Sequence, residues 1–204
     1  MEKLSQRRQF ANGGLSTLYW NYRDRTILSA IRSDDKFIID AGCGEGVTLE
    51  RLRKDLLQGN IFGVDIDDHN VNVCKKNSLS VFQGDLLNLG IKDKTVDICI
   101  FAEVIEHLVR FDVALRELGR ILKPDGRVIV VVPNDRVFLV ARLLCLKFKE
   151  AFYKSGHVRQ WSPTTLQKTL NDHGFTIVSK KNIPFRIWNL CLHSVIVGQK
   201  SEPL

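Results

Sequence analysis

Hydrophobic positions in this chain fall into short continuous apolar runs and longer stretches in which apolar residues recur at helical spacing. The apolar runs are KFIIDA, NIFGVDI, LSVFQGD, TVDICIFA and GRVIVVVPN, and helical patterns such as EGVTLERLRKDLL, DDHNVNVCKKN and FDVALRELGRILK accompany them. Strands that alternate with helices are typical of β-α-β units and a mostly parallel sheet. The pattern therefore predicts an α/β fold with helices on both faces of the sheet.

The pattern changes after the fifth predicted strand. SPTTLQKTLNDHGF predicts a helix capped by Ser162, with Pro163 in its first turn and Gly174 after its end. FTIVSKKN and LCLHSVIVGQK follow as strands with no helix between them, so we expect them to pair antiparallel. Residues 134–156 form an insertion that is apolar on one side and basic on the other. This insertion is either an amphipathic cap over the site or an ordinary helix packed on the core.

The composition bears on the number of domains, the cellular compartment and the partners of the protein. The 204 residues are 44% hydrophobic, which is enough for a single domain over residues 1–204. Five widely spaced cysteines with no Cys-x-x-Cys pair indicate free thiols, a reducing compartment and a cytoplasmic location. The most apolar stretch, VFLVARLLCL, is about half the length that spans a bilayer, so no transmembrane segment is expected. The net charge of +7 fits a solvated basic surface or an anionic partner, such as RNA, a peripheral membrane contact or an acidic small molecule.

The stretch DAGCGEG, residues 40–46, ends the first predicted strand and opens a helix. Its glycines depart from the dinucleotide fingerprint Gly-x-Gly-x-x-Gly, because the third glycine would fall on Val47. A carboxylate at Asp40 would repel a pyrophosphate and attract an ammonium group. S-adenosylmethionine carries such a group and has no phosphate. The loop therefore favours S-adenosylmethionine as its ligand.

Two further acidic residues stand at the ends of the next two strands. Asp65 ends the second strand in GVDI, where a carboxylate can accept both ribose hydroxyls of a nucleoside. Asp85 follows the third strand in GDLLNL, where it can take the adenine amino group while the N–H of Leu86 faces a ring nitrogen. Each acid alone could be a helix cap or a turn residue. Their position at successive strand ends favours one ligand that spans them.

These motifs, with FAEVIEHL and RILKPDGRVIVVVPN, resemble the class I S-adenosylmethionine-dependent methyltransferases, in particular the subgroup related to quinone-biosynthesis O-methyltransferases. The resemblance implies a Rossmann-like, seven-stranded, mostly parallel sheet of order 3-2-1-4-5-7-6 with strand 7 antiparallel. It also implies that residues 1–34 form a helical lid over the cofactor, although their aromatic face could simply pack on the core. The cofactor contacts that it implies are Asp40, Gly42, Cys43 and Gly44 at the methionine, Asp65 and Ile66 at the ribose, Asp85 and Leu86 at the adenine, and Ala102 and Glu103 at the sulfonium.

The absence of two known motifs disfavours adenine amino groups and cytosine carbon as methyl acceptors. It contains neither the Asn/Asp-Pro-Pro-aromatic stretch used on adenine amino groups nor the Pro-Cys pair used on cytosine carbon. An oxygen of a small molecule, lipophilic if the insertion caps the site, is the first choice. His107 and His157 are the candidate bases, because histidine titrates near neutral pH, and His69, His173 and His193 are interpreted as structural or solvent-facing. An RNA 2′-O-methyltransferase and a non-catalytic S-adenosylmethionine-binding or scaffold protein remain alternatives.

The stretch FAEVIEHL, residues 101–108, places two carboxylates and an imidazole close together. On a helix, Glu103, Glu106 and His107 would share one face. The spacing also resembles a metal-binding element of some quinone O-methyltransferases and of RNA 3′-end 2′-O-methyltransferases, in which a later histidine, here His157, completes the set. Such a set could hold Mg²⁺ or Mn²⁺. The alternative is that the acids only begin a helix at its positive N-terminus, and the sequence leaves the metal open.

Overall fold

A seven-stranded sheet forms the centre of the protein. The computed structural model describes Arg7 and residues 14–55, 60–144 and 156–201. The strands are β1 Phe37–Ala41, β2 Asn60–Asp65, β3 Val81–Gln83, β4 Val96–Ala102, β5 Leu122–Pro133, β6 Phe175–Ile183 and β7 His193–Lys200. Their order is β3-β2-β1-β4-β5-β7-β6, with β7 antiparallel to both neighbours and the other pairs parallel. The fold and strand order expected from the sequence are therefore confirmed.

Helices lie along the sheet, and their ends follow from local sequence. In the described part they are α1 Gly14–Leu28, α2 Val47–Asp55, α3 Asp68–Lys76, α4 Phe111–Ile121, α5 Asp135–Leu144 and α6 Pro163–Asp172. Asp67 caps α3 by accepting a hydrogen bond from the N–H of His69 at 2.9 Å. Ser162 caps α6 by accepting one from the N–H of Thr165 at 3.1 Å. Both caps agree with the sequence pattern.

The alternation of side chains along the strands divides the core into two layers. In β4, Cys99 and Phe101 pack on one face of the sheet, and Ile98 and Ile100 pack on the other. The first layer includes Leu115, Leu118, Leu166 and Leu170 of α4 and α6, and the second includes Ile27, Leu49, Leu52 and Cys74 of α1, α2 and α3. Helices therefore cover both faces, as the sequence predicts.

The Pro-Asp-Gly stretch at residues 124–126 is a sequence typical of turns, but it lies within a strand. β5 begins at Leu122 and includes this stretch, and its pairing with β4 shifts from Val96–Leu122 to Ile98–Arg127. Asp125 lies within the shifted segment in a left-handed conformation, at φ +63°. An irregularity in the strand pair accommodates the extra residues, so the chain enters β5 directly from α4.

Two of the predicted segments are only partly described. Helix α5 forms part of the insertion at 134–156, and residues 145–155 of that segment lie outside the described residues. Helix α1 belongs to the predicted lid at 1–34, of which residues 1–6 and 8–13 lie outside. Among the helices of the described ranges, none has the length and apolar character needed to cross a bilayer.

The carboxyl-terminal edge of the parallel strands is the functional edge of such a sheet. β1 pairs with β2 on one side and β4 on the other, so the direction of strand order reverses between β1 and β4. Open α/β sheets bind their ligands in the crevice at such a point. The glycine loop follows β1 and Glu103 follows β4, so both border this crevice.

Candidate active site

The glycine loop after β1 packs tightly against β2 and against the segment that follows β4. The N–H groups of Gly42 and Cys43 both donate to the carbonyl of Val64 on β2, at 2.8 and 2.9 Å. Gly42 has φ +81°, and a Cβ added there would lie 2.6 Å from Cγ2 of Val104. Only glycine fits both this left-handed backbone and this contact. The loop can therefore present bare backbone to a ligand in the crevice.

Asp40 is a carboxylate buried at the end of β1. Only 3% of the residue is exposed, and its Oδ2 has no hydrogen-bond partner among the residues that the structure describes. Burial, supported by Asp24 and Asp65 and opposed by Arg23, raises the pKa of Asp40 to about 7. An ammonium group would satisfy the bare oxygen and balance its charge. Asp40 therefore fits the amino acid end of S-adenosylmethionine.

Asp65, at the end of β2, is tied to the glycine loop. Its Oδ2 accepts from the N–H of Gly44 at 2.8 Å, and its Oδ1 accepts from the N–H of Asp67 at 2.9 Å and the side-chain amide of Asn70 at 3.1 Å. A carboxylate has about four acceptor positions, so Asp65 keeps capacity for a ligand hydroxyl. The adjacent Ile66 is 66% exposed and offers an apolar surface beside that position.

Asp85 and Leu86 follow β3. Oδ1 of Asp85 accepts a hydrogen bond from the N–H of Leu87 at 2.9 Å, which is the turn geometry of an aspartate that stabilises its own loop. Leu86 is buried and packs in the core layer of Phe101. The turn role is therefore present, and the adenine contacts of Asp85 and Leu86 stay a prediction.

Glu103 follows the half-buried Ala102 and occupies a strained backbone position at φ +57°, which is uncommon for a residue with a Cβ. Its N–H donates to the carbonyl of Val131 at 2.8 Å. Its Oε1 accepts a hydrogen bond from the guanidinium of Arg23 and lies 3.3 Å from Nε2 of His193. Burial raises the pKa of Glu103, but His193 and Arg23 outweigh burial and bring this pKa down to about 2. Glu103 is therefore an ionised carboxylate at neutral pH.

The expected helical face of Glu103, Glu106 and His107 is wrong. The left-handed backbone at Glu103 directs its side chain to α1 and β7, and only one 3₁₀ turn, Ile105–His107, follows. Leu108 then returns to an extended conformation, so no α-helix forms here. Glu103 consequently lies outside the group that contains Glu106 and His107.

Glu106, His107 and His157 form a cluster of side chains, which we call the Glu106 cluster. One ligand atom of each lies within 4.8 Å of the others, and the two imidazole rings are 4.7 Å apart. Nδ1 of His157 contacts Oδ2 of Asp135 at 2.8 Å, and its Nε2 lies 3.9 Å from Oε1 of Glu106. Nδ1 of His107 lies 3.3 Å from the carbonyl of Gly156. A carboxylate on one imidazole nitrogen orients the other nitrogen, as in many metal sites.

The carboxyl group of Glu106 is the unusual member of this cluster. The residue is 1% exposed, and within the described ranges neither of its oxygens has a hydrogen-bond partner. Burial is the largest cause that raises the pKa of Glu106 to about 9, so the group is a neutral acid at pH 7. A buried carboxyl with no partner, beside two imidazoles, has the chemistry of a divalent-cation ligand. The Glu106 cluster therefore fits a metal site without Glu103.

Comparisons with known proteins agree with this geometry. The profile of a family described as a methyltransferase domain matches residues 39–130. A probable S-adenosylmethionine-dependent methyltransferase of Mycobacterium tuberculosis is 27% identical over 165 residues, which is 79% of this chain and 57% of the relative. Residues 39–130 thus match a methyltransferase domain, and the chain is similar to S-adenosylmethionine-dependent methyltransferases over most of its length. The recognition made from the motifs is thus confirmed, and the chain spans little more than half the length of this relative.

Other similar proteins differ in the acceptors that their names give. A fatty-acid O-methyltransferase of Mycolicibacterium smegmatis is 30% identical over 46% of this chain and 35% of its own length. A demethylmenaquinone methyltransferase of Lactobacillus johnsonii is 25% identical over 81% of this chain and 76% of its own length. The structure of magnesium protoporphyrin IX methyltransferase from Synechocystis with bound S-adenosylhomocysteine superposes with a TM-score of 0.69 at 18% identity, over 96% of this chain and 92% of that one. This last likeness shows the methyltransferase fold.

Sequence reasoning missed the partners of the two carboxylates in FAEVIEHL. His193, interpreted from sequence as structural or solvent-facing, is fully buried between Tyr19 and Glu103. Arg23 reaches Glu103 across 80 positions of sequence, and Asp135 reaches His157 across 22. The adjacent charges of Arg23 and Asp24 lie in a helix that also carries Arg25 and several uncharged polar residues, so they did not mark a buried ionic contact.

Proposed function

We propose that the chain transfers a methyl group from S-adenosylmethionine to an oxygen of a small-molecule acceptor. The observation that carries this proposal is the buried, unsatisfied oxygen of Asp40 beside a glycine loop with no room for a side chain at Gly42. When bound, S-adenosylmethionine supplies an electrophilic methyl group. A lipophilic acceptor is supported by the name of the fatty-acid O-methyltransferase that the chain resembles.

The residues that would hold the cofactor are those named by the sequence motifs. Asp40 binds the ammonium group, the backbone of Gly42, Cys43 and Gly44 lies along the methionine, and the remaining contacts come from Asp65, Ile66, Asp85, Leu86, Ala102 and Glu103. Asp65 joins cofactor and loop, since its carboxylate already holds the N–H of Gly44. Loss of that side chain therefore removes a ligand contact and loosens the backbone that makes others.

An oxygen acceptor that starts as a hydroxyl must lose its proton when it is methylated. His107 and His157 remain candidates for this step. Asp135 holds Nδ1 of His157 and so keeps its Nε2 available. Burial is the largest cause that lowers the pKa of His107, which favours its neutral, proton-accepting form at pH 7.

Replacement of Asp65 by alanine is expected to weaken S-adenosylmethionine binding by at least tenfold, because hydrogen bonds to a charged group contribute about 1.5–3 kcal/mol. Asp68→Ala is the matched control, since Asp68 is an exposed aspartate in the first turn of α3 that contacts Asn72. Isothermal titration calorimetry measures both affinities. Equal affinity of the Asp65 variant and the unsubstituted chain, or no binding by either, would overturn the cofactor assignment.

The affinity for S-adenosylmethionine is expected to be about tenfold lower at pH 6 than at pH 7.5. The free protein holds a proton on Asp40 below its pKa of about 7, and the ammonium group needs the ionised form. Removal of that proton costs about 1.4 kcal/mol for each pH unit below this pKa. Calorimetry across this range measures the effect. Asp40→Asn should bind weakly at every pH, and a slope that persists in this variant would contradict the role of Asp40.

Transfer itself is tested with isotopically labelled S-adenosylmethionine and fractionated cell extract. Label in an organic-soluble small molecule, released by cleavage of an ether or ester, supports the proposal. Label in protein or nucleic acid rejects a small-molecule acceptor. Cofactor binding without any transfer supports the alternative of a non-catalytic S-adenosylmethionine-binding or scaffold protein.

A second candidate function is metal-assisted 2′-O-methylation of RNA. The Glu106 cluster favours it, because a divalent cation held by two imidazoles and a carboxyl could bind vicinal oxygens. The net charge of +7 would suit RNA and would equally suit a peripheral membrane contact, and both partners, like the cytoplasmic location, stay predictions. Methylation of an RNA 3′ end that disappears with a chelator would place this function first.

A further inference from the structure

Next to the crevice, a hydroxyl contacts an imidazole, and the same imidazole faces a carboxylate. The hydroxyl of Tyr19 on α1 contacts Nδ1 of His193 on β7, and Nε2 of His193 lies 3.3 Å from Oε1 of Glu103. Tyr19 is half-buried and His193 is 0% exposed. The series therefore runs from a half-buried hydroxyl to a fully buried base. Nucleophile, base and orienting carboxylate are arranged in this order in sites that remove a proton from a hydroxyl.

The tautomer of His193 follows from the two groups that its nitrogens face, although the 3.3 Å approach of Nε2 to Glu103 lacks hydrogen-bond geometry. Glu103 is ionised at neutral pH, so the nitrogen that faces it carries the proton. That leaves Nδ1 as the acceptor for the hydroxyl of Tyr19. The charged groups that face His193 are Glu103 from the end of β4 and Arg23 and Asp24 from α1. Burial, the largest effect, lowers the pKa of His193, so the imidazole is a neutral base at pH 7.

Aromatic side chains enclose this base. The ring of Phe138 on α5 lies 4.9 Å from the His193 ring and meets it edge to face, and the ring of Trp20 lies 5.6 Å from it. Tyr19 stacks nearly parallel to His193 at 5.7 Å. Such walls exclude water, which strengthens the electrostatic effect of Glu103 on the imidazole. They also leave Tyr19 as the route by which a proton reaches His193.

Glu103 is held in place with a strained backbone conformation. It adopts the left-handed conformation that residues with a Cβ avoid, and Arg23 anchors its side chain through a buried guanidinium that also binds Asp24 and Thr48. Strained residues held by several contacts are concentrated at functional sites. In this conformation the same carboxylate oxygen of Glu103 faces both Arg23 and His193.

We propose that Tyr19, His193 and Glu103, rather than His107 and His157, form the proton-accepting array for the methyl acceptor, and that the acceptor reacts through a hydroxyl or phenol rather than a carboxylate. The acceptor O–H bond breaks and its proton passes to the oxygen of Tyr19, while the proton of Tyr19 passes to Nδ1 of His193. The acceptor oxygen gains the methyl group, and the electron pair of the broken sulfur–carbon bond stays on sulfur. Glu103 stabilises the imidazolium until the proton on Nδ1 returns through the oxygen of Tyr19 to the solvent. A carboxylate acceptor is already ionised at pH 7 and would not need the array.

This inference rests on the proposed function, and its first test does not require an acceptor. In protein with ¹⁵N-labelled histidine, NMR at pH 7 should show His193 neutral, protonated on Nε2 and unprotonated on Nδ1. Tyr19→Phe keeps the ring and removes the hydroxyl, so it should shift the Nδ1 signal of His193. Tyr22→Phe is the matched control on the exposed side of the same helix, beside Lys181, and should leave the signal unchanged. A cationic His193, or one protonated on Nδ1, overturns the proposal.

The second test compares two acceptors of similar length, a long-chain alkylphenol and a fatty acid. The unsubstituted chain should methylate the phenol, and Tyr19→Phe and His193→Gln should each lower kcat about 100-fold, a typical loss for a proton-transfer group. KM and the calorimetric affinity for S-adenosylmethionine should not change, which separates loss of proton transfer from misfolding. Unchanged kcat in Tyr19→Phe, or transfer to the fatty acid alone, overturns the array. A chain that binds no S-adenosylmethionine fails as a methyltransferase instead.

Discussion

Replacement of Arg23 by methionine is expected to lower the free energy of unfolding by about 3 kcal/mol, the lower end of the loss typical when one partner of a buried ion pair is removed. The guanidinium donates two hydrogen bonds to Asp24, at 2.8 and 3.1 Å, and others to Glu103 and Thr48. Methionine keeps much of the apolar volume and leaves the carboxylates of Asp24 and Glu103 without this partner. Urea unfolding at pH 7 measures the loss.

The dependence of this loss on pH identifies its cause. The pKa of Glu103 lies at about 2, below the ordinary value of 4.5, so its interactions stabilise the fold above pH 4.5 and that contribution disappears as pH falls towards 2. The effect of Arg23→Met should accordingly shrink as pH falls from 4.5 towards 2. Arg25→Met replaces an exposed arginine two positions along α1 and should cost less than about 0.5 kcal/mol. A loss that is equal for both variants would show that methionine disturbs the helix itself.

The glycine loop and the identity of the cofactor were predictable because their determinants are local in sequence. Asp40, Gly42 and Gly44 lie within five positions of one another, and each acidic residue stands at the end of its own apolar run. A strand-to-helix turn with left-handed residues selects glycine from physical necessity, so the chemistry can be derived from a short window. The strand order also follows from pattern, because a helix between strands implies a parallel crossover and its absence implies antiparallel pairing.

The acceptor side could not be derived in this way. Its contacts join residues far apart in the chain, with 174 positions between Tyr19 and His193 and 80 between Arg23 and Glu103. No pattern around His193 differs from that of an ordinary strand, because burial of a polar side chain depends on partners that only the fold supplies. The sequence therefore placed Glu103 correctly at the edge of the crevice and gave no sign of what holds it there.

The error at FAEVIEHL has a specific physical origin. The spacing of Glu103, Glu106 and His107 matches a helical face, but the rule applies only if the backbone is helical throughout. The left-handed conformation of Glu103 separates it from the short 3₁₀ turn that carries the other two. One backbone angle thus divides the three residues between two groups, the array with Tyr19 and His193 and the Glu106 cluster. At a residue other than glycine, a sequence pattern does not indicate that the backbone is left-handed.

Replacement of Glu106 by glutamine is expected to raise the free energy of unfolding by about 3 kcal/mol at pH 7 in the presence of chelator. The pKa of Glu106 is raised from 4.5 to about 9, chiefly by burial, so folding at pH 7 must supply a proton to a group that is ionised in the unfolded chain. The difference of 2.5 pH units between pH 7 and 4.5, at 1.36 kcal/mol per unit, gives this magnitude. Glutamine has the shape of the neutral acid and avoids that cost. Thermal and urea unfolding measure the gain.

Two further measurements complete this test. They are the pH dependence of the stability difference between Glu106→Gln and the unsubstituted chain, and the response of both proteins to metal. A raised carboxyl pKa gives stability that is fully present below pH 4.5 and is lost as pH rises towards 9, so the advantage of Glu106→Gln should grow across this window. Glu50→Gln, at a carboxylate whose pKa is lowered by Arg7 and Lys54 despite some burial, should reduce stability slightly. Added Mn²⁺ should then stabilise the unsubstituted chain and not the Glu106 variant, since a cation bound only by the folded state adds its binding free energy to stability. If the Glu106 variant is less stable than the unsubstituted chain in chelator, the carboxyl is ionised and has a partner. That result would contradict the hypothesis that Glu106 is a neutral acid without a partner that can bind a cation.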